Sequence, residues 1–132
     1  MNEAGIVLAG GSDAPVEEPK PNFGIYDAVF RFAPRPEAKA EGDDAVDEIQ
    51  PDRIISDQAS FRPEERLDVG VAIDAFTQGS AWAAGREKEL GKIAVDFKAD
   101  FVVVEGDDVV GDPRKWLNAR IDQVWVAGVR RF

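Results

Sequence analysis

Residues 5–17 have the sequence GIVLAGGSDAPVE, and this stretch decides how the rest of the chain is interpreted. Its apolar run, residues 6–9, is too short for a helix and is bounded by glycines, which predicts a strand buried on both faces. A Gly-Gly-Ser turn then places Asp13 just past the carboxyl end of that strand, where an α/β barrel carries its catalytic groups. A Ser-Asp pair after two glycines is also common in loops and caps, so that interpretation stays open.

Seven further segments, taken in order along the chain, extend the pattern that begins with GSDAPVE at residues 11–17. Together they resemble the C-terminal part of metal-dependent amidohydrolases of the YtcJ type. The segments are FGIYDAV at 23–29 followed by Arg31, PEERL at 63–67, AIDAFT at 72–77, AWAAG at 81–85, LGKI at 90–93, KADFVVV at 98–104 and VWVAGVR at 124–130.

The resemblance implies an α/β chain. Residues 1–88 would form the last strand, a loop excursion and the final helix of a TIM barrel, and residues 89–132 would form strands of a small β-sandwich domain. It further implies that Asp13 is a metal ligand and a catalytic residue that moves a proton during hydrolysis of an amide or cyclic amide C–N bond in a small molecule. Asp100 corresponds to a family carboxylate expected to hold the turn into the β domain.

The rest of the family's metal site is missing from this sequence. In the family, the metals lie between a His-X-His pair, a Lys or Glu, two further His and the Asp that follows the eighth strand. This chain contains no His and no Cys, so it cannot complete a zinc site from the usual nitrogen and sulfur ligands. A divalent metal, with zinc the expected ion, is therefore predicted for the complete enzyme and none for this chain alone.

Two hypotheses follow. In the first, the chain is the C-terminal fragment of an amidohydrolase, inactive by itself, that associates with a partner chain supplying the rest of the barrel or with itself. In the second, it is a small acidic structural or protein-interaction module without enzymatic activity. Under the first hypothesis, the unpaired edges of the barrel strand would pair with strands of another chain. Under the second hypothesis, other residues of this chain would have to cover them.

The composition of the chain limits the classes of partner that it can be expected to bind. The chain has 132 residues, of which 44% are hydrophobic, and a formal net charge of −10. That charge disfavours binding to nucleic acid phosphates and to anionic membrane surfaces. The absence of cysteine, of a basic N-terminal leader and of a long apolar run leads us to expect a cytoplasmic protein.

The remaining pattern predicts two helices and several strands. A short amphipathic helix is expected over residues 23–32, with Asn22 as its cap, and a longer one over residues 69–84 between Asp68 and Gly85. Strands are expected at residues 92–95, at residues 101–104 and on either side of an Ala127-Gly128 turn. The longer helix carries small residues at 75 and 79–81 that would allow close approach to a neighbouring element.

Three local features have alternative interpretations. Tyr26 and Arg31 could lie near a substrate, or they could be a packed aromatic and a solvated cation. Residues 33–60 are predicted to be a mobile surface excursion, since they combine prolines with acidic residues and little apolar periodicity. The acidic residues within that excursion do not have the spacing of an EF-hand calcium loop.

Overall fold

A computed structural model of the protein describes residues 5–16, 18–31, 61–106 and 108–132. The predicted excursion at residues 33–60 and its acidic residues lie outside the described residues. The described part has an N-terminal loop, two helical segments packed on each other and a three-stranded sheet. The α/β class is confirmed at this level.

The first helix, α1, spans Pro21–Phe30, two residues earlier than predicted. Proline suits the first turn, because it has no amide hydrogen to satisfy there, and Arg31 ends the helix with a φ of 62°. Asn22 was expected to cap the helix, and this is wrong because it lies inside the first turn. Its side-chain amide instead donates to the carbonyls of Trp116, at 3.2 Å, and Leu117, at 3.4 Å.

The second helical segment, here called the composite helix, consists of α2 (Val69–Asp74), a π turn (Ala75–Gly79) and α3 (Ser80–Ala83). Its predicted limits are confirmed, since Asp68 precedes it and Gly85, at a φ of 67°, follows it. The extra residue of the π turn shifts the phase of the helix. Ala81 is buried, whereas Ala83, two residues later, is exposed.

The sheet comprises β1 (Phe101–Glu105), β2 (Arg120–Val126) and β3 (Val129–Arg130), antiparallel in that order. The register between β1 and β2 shifts between Val103 and Val104. A 3₁₀ helix at Pro113–Asn118 precedes β2, and a shorter one at Pro63–Glu65 precedes the composite helix. The predicted hairpin is confirmed: Ala127 and Gly128 both have positive φ, of 51° and 74°, as a type I′ turn requires.

Two predicted strands do not form among the described residues. Residues 6–9 have no strand neighbour, and Ile6 is 54% exposed; residues 92–95 form no strand either, and Ile93 is 86% exposed. The physical reason is that an apolar run becomes a strand only when another strand satisfies its backbone groups. The described residues thus show neither a barrel nor a sandwich.

The core lies between the helices and the 3₁₀ helix before β2. Ile25 of α1, Ala72 of α2 and Trp116 form its buried centre, with Phe76 and Val104 packed against them. Tyr26 is fully buried, and its ring lies 4.5 Å from that of Phe30, centroid to centroid. No described helix is both long enough and apolar enough to cross a bilayer.

Candidate functional site

The loop that carries Asp13 follows directly from the apolar residues 6–9. Asp13 has a φ of 51°, a left-handed conformation that Asp tolerates better than most residues. Its carbonyl accepts from the amide of Val16 at 2.9 Å, which closes a turn through Ala14 and Pro15. The Asp13 residue is exposed. Asp13 is thus the first residue of a closed turn, in a left-handed conformation and open to solvent.

The same loop is attached to the composite helix at Gly10. The Gly10 amide donates to the carbonyl of Ala75 at 2.8 Å. The Ser80 hydroxyl lies 2.9 Å from the Gly10 carbonyl and 3.0 Å from that of Ala75, so its single proton is shared between two acceptors. Both peptide groups of Gly10 are therefore bonded to the helix, three residues before Asp13.

Glycines allow the loop and the helices to come this close. A methyl group at Gly79 would overlap the Leu8 carbonyl, and one at Gly10 would lie 2.6 Å from the ring of Phe76. A methyl group at Gly24 of α1 would overlap the same ring. The Phe76 ring thus packs against both Gly10 of the loop and Gly24 of α1, so one side chain of the composite helix contacts both segments.

The described residues offer few other metal ligands. No group of three or more His, Cys, Asp or Glu side chains comes together within them. Asp13 has the right chemistry for one position of a cation site, since a carboxylate oxygen is a suitable ligand for zinc and for harder divalent ions. The residues present therefore fit one ligand position of a cation site, and the described residues bring no cluster of further ligands together.

An apolar cleft of about 620 Å³ separates the helices from the sheet. Trp116, Trp125, Phe101 and Phe76 supply much of its lining. Two polar side chains of its lining are engaged within the chain: Asn22 with the two carbonyls noted above, and the Thr77 hydroxyl with the carbonyl of Ile73 at 2.8 Å. The cleft is thus a packing space with little polar chemistry, and Asp13 is not among its lining residues.

Asp100 stands at the start of the sheet. Its Oδ1 accepts from the Ala127 amide at 2.6 Å, and the neighbouring Ala99 carbonyl accepts from Gly128 at 3.0 Å. The carboxylate thus fastens the β2–β3 turn to the residue before β1. The sequence expectation of a structural role agrees with this contact, although the turn it holds is the hairpin rather than the entry to the β domain.

A charged cluster joins the end of the composite helix to the segment before the sheet. Glu89 accepts from Arg86 Nε at 2.7 Å and pairs with Lys98 Nζ at 3.1 Å. The hydrogen bond from Arg86, supported by that from Lys98, lowers the pKa of Glu89 to about 2. The same pair raises the pKa of Arg86. The cluster stabilises this junction and has no contact with Asp13 among the interactions of the described residues.

The structure separates the two alternatives for Tyr26 and Arg31. Tyr26 is packed in the core, and the Arg31 Nε donates to the Phe61 carbonyl at 3.3 Å while its guanidinium lies 5.8 Å from the Phe61 ring. Ser80, by contrast, was considered only as a small residue, and its hydroxyl proves to bond the Asp13 loop. Its identity as a serine beside Gly79 was the only sequence signal available.

Comparison with known proteins gives two matches. The sequence profile described as "Amidohydrolase family" matches residues 1–132. The "Putative amidohydrolase YtcJ" of Bacillus subtilis (strain 168) is 37% identical over 109 residues, which cover 83% of this chain and 17% of the relative. The chain therefore spans about a sixth of the length of that curated relative. No solved structure matches the chain.

Proposed function

Because this chain belongs to the amidohydrolase family, we propose that it forms the C-terminal part of a metal-dependent hydrolase acting on amide or cyclic amide C–N bonds. The observation that carries the proposal is the position of Asp13. An exposed carboxylate follows an apolar segment, on a loop fixed by hydrogen bonds at Gly10. If residues 6–9 form the last strand of a barrel in the complete enzyme, such a group is placed for catalysis.

In this proposal Asp13 has two tasks. One carboxylate oxygen would hold a divalent cation, with zinc the expected ion, and the other would accept a proton from the attacking water and pass it to the leaving nitrogen. The chemistry supplied by a bound cation is polarisation of the scissile carbonyl and activation of water. Gly11 and Ser12 would set the direction of the carboxylate through the backbone between Gly10 and Asp13.

The exposed apolar segment before Asp13 supports the same proposal. Ile6 and Val7 are 54% and 47% exposed, with no strand beside them in the described ranges. We infer that strands from the rest of a barrel, on a partner chain or a second copy, cover them, and that residues 1–88 complete that barrel while residues 89–132 join its β domain. The missing metal ligands would come from a partner chain, since a second copy of this chain would again contain no His and no Cys.

Complementation tests this proposal. We would combine the 132-residue chain with the Bacillus subtilis relative from which the matching segment has been deleted, and measure association, metal content and hydrolysis of a panel of amides and cyclic amides. Asp13→Asn is expected to lower kcat by about 100-fold or more, because a ligand and a proton acceptor are lost together. Bound metal should fall as well.

Asp96→Asn is the matched control. Asp96 is also exposed and also has a left-handed backbone, with a φ of 68°, so the two substitutions make the same chemical change in the same conformation. Asp96→Asn should retain activity. A chain that stays a folded monomer, with no association and no metal in the mixture, would overturn the proposal in favour of a non-enzymatic module.

A further inference from the structure

The π turn in the composite helix changes which groups the Ala75 carbonyl can reach. In a regular α-helix this carbonyl would accept from the amide four residues later, whereas a π turn spans five residues and opens the helix locally. Here the Ala75 carbonyl also accepts from the Gly10 amide, at 2.8 Å, and lies 3.0 Å from the Ser80 hydroxyl. A π turn within a helix is frequently found at a functional site.

Ser80 holds the other side of Gly10. Its hydroxyl is 2.9 Å from the Gly10 carbonyl, so the amide and the carbonyl of one residue are both fixed to one turn of helix. Three residues of free chain could reach up to about 10 Å, whereas a metal ligand must be placed to within a few tenths of an ångström. Fixing Gly10 removes much of that freedom, and the Asp13–Val16 turn restricts the rest.

We propose that Ser80 is a positioning residue for Asp13, acting through Gly10 and the Ala75 carbonyl that the π turn presents. This inference rests on the function proposed for Asp13. Ser80 neither touches substrate nor binds the cation. It holds the backbone that carries Asp13. Because the loop is already ordered, cation binding by the carboxylate does not have to fix the backbone conformation of the loop.

Amide hydrogen exchange on the 132-residue chain, measured by NMR, tests the structural step without any metal. Ser80→Ala should raise the exchange rate at Gly10 about fivefold, which corresponds to losing one hydrogen bond of ordinary net strength. Ser80→Thr keeps a hydroxyl and should restore protection. Unchanged exchange at Gly10 in Ser80→Ala would overturn the proposal.

Thr77→Ala is the matched control for this measurement. The Thr77 hydroxyl lies on the same helix, but it donates to Ile73 of that helix and makes no bond to the Asp13 loop. Its removal should leave Gly10 exchange as in the original chain. If Ser80→Ala does not fold, Ser80→Cys can replace it, because cysteine is similar in size to serine and is a weaker donor. In Ser80→Cys the Gly10 amide should exchange faster than in the original chain and in Ser80→Thr, but more slowly than an unprotected amide.

Zinc titration of the complemented complex tests the step from Gly10 to Asp13. Ser80→Ala should raise the zinc concentration for half-occupancy about tenfold, the scale seen when a group that orients a metal ligand is removed. Ser80→Thr and Thr77→Ala should bind zinc as the original complex does. Equal zinc affinity in Ser80→Ala would overturn the positioning role.

The two proposals fail in distinguishable ways. If Asp13→Asn leaves zinc binding intact, the function proposed for Asp13 fails, whatever the exchange at Gly10 shows. If Asp13→Asn removes zinc binding and Ser80→Ala changes neither zinc affinity nor Gly10 exchange, the function stands and the positioning inference alone is refuted.

Discussion

Alanine at Gly79 and alanine at Gly70 should change the stability of this chain in opposite directions. Both glycines lie in the composite helix, so both substitutions gain about 0.5–1 kcal/mol from the better helix propensity of alanine. At Gly70 the new methyl group meets nothing within 4 Å. Gly70→Ala should therefore be stabilising by about that amount.

At Gly79 the same methyl group meets backbone on two sides. It would overlap the Leu8 carbonyl and lie 3.3 Å from that of Asp74. Overpacking a buried site costs about 1–3 kcal/mol, and backbone carbonyls yield less than side chains do. After subtracting the gain in helix propensity, we expect Gly79→Ala to destabilise the fold by about 1–2 kcal/mol.

Urea unfolding followed by tryptophan fluorescence measures the difference between the two variants. With a dependence of about 1–2 kcal/mol per molar urea, their midpoints should lie about 1–2 M apart, on either side of the original chain. Equal increases in both midpoints would refute the close approach of the composite helix to Leu8. If the Gly10 amide exchanges faster in Gly79→Ala but not in Gly70→Ala, the loop that contains Leu8 and Gly10 has moved to relieve the clash.

Two further predictions concern the sheet and the charged cluster. The Asp100 carboxylate accepts from the Ala127 amide at 2.6 Å, and Asp100→Ala removes this acceptor, which should lower the unfolding free energy by about 1 kcal/mol. Asp100→Asn keeps an acceptor oxygen and should lose less stability. Urea unfolding of the two variants measures the difference. The pKa of Glu89 is lowered from 4.5 to about 2, so the stabilisation it gives is complete above about pH 5 and is lost as the pH falls toward 2. The difference in urea midpoint between the original chain and Glu89→Gln should accordingly be constant from pH 5 to 7 and shrink steadily from pH 5 toward pH 2. A difference that grows on acidification would contradict the ion pairing.

The elements that were predictable are those whose signals lie within a few residues. Gly85 ends the composite helix region at a positive φ, as predicted, and Asp68 precedes the helix as predicted, although its side chain makes no capping hydrogen bond. The Ala127-Gly128 turn follows from the conformation that a two-residue hairpin loop demands. Each of these depends on local backbone preference, and each was found where the sequence placed it.

The elements that were not predictable depend on partners distant in sequence. Residues 6–9 and 92–95 have strand-like composition, but composition does not supply a neighbouring strand. Asn22 looked like a cap, yet its amide finds carbonyls almost a hundred residues away, at Trp116 and Leu117. The π turn leaves no composition signal of its own, so the link between Ser80 and Gly10 could not be predicted.

The candidate site divides in the same way. Asp13 was predicted from its place after an apolar run and from family resemblance, and its role stays a prediction. The residues that hold its loop were not predicted, because hydrogen bonds from a hydroxyl to a backbone carbonyl place almost no demand on sequence beyond a small polar residue. A candidate carboxylate is therefore easier to predict from a sequence than the hydrogen bonds that orient it.

The close packing of Phe76 against Gly10 and Gly24 has a consequence for the order in which these three positions can change during evolution. Any side chain added at residue 10 or residue 24 enters space that the aromatic ring already fills. A lineage must therefore shrink residue 76 before it can enlarge either glycine, and the intermediate with a smaller residue 76 leaves a void that weakens the core. Substitutions at the three positions should therefore be correlated, with Phe76 changing first and the two glycines changing afterwards.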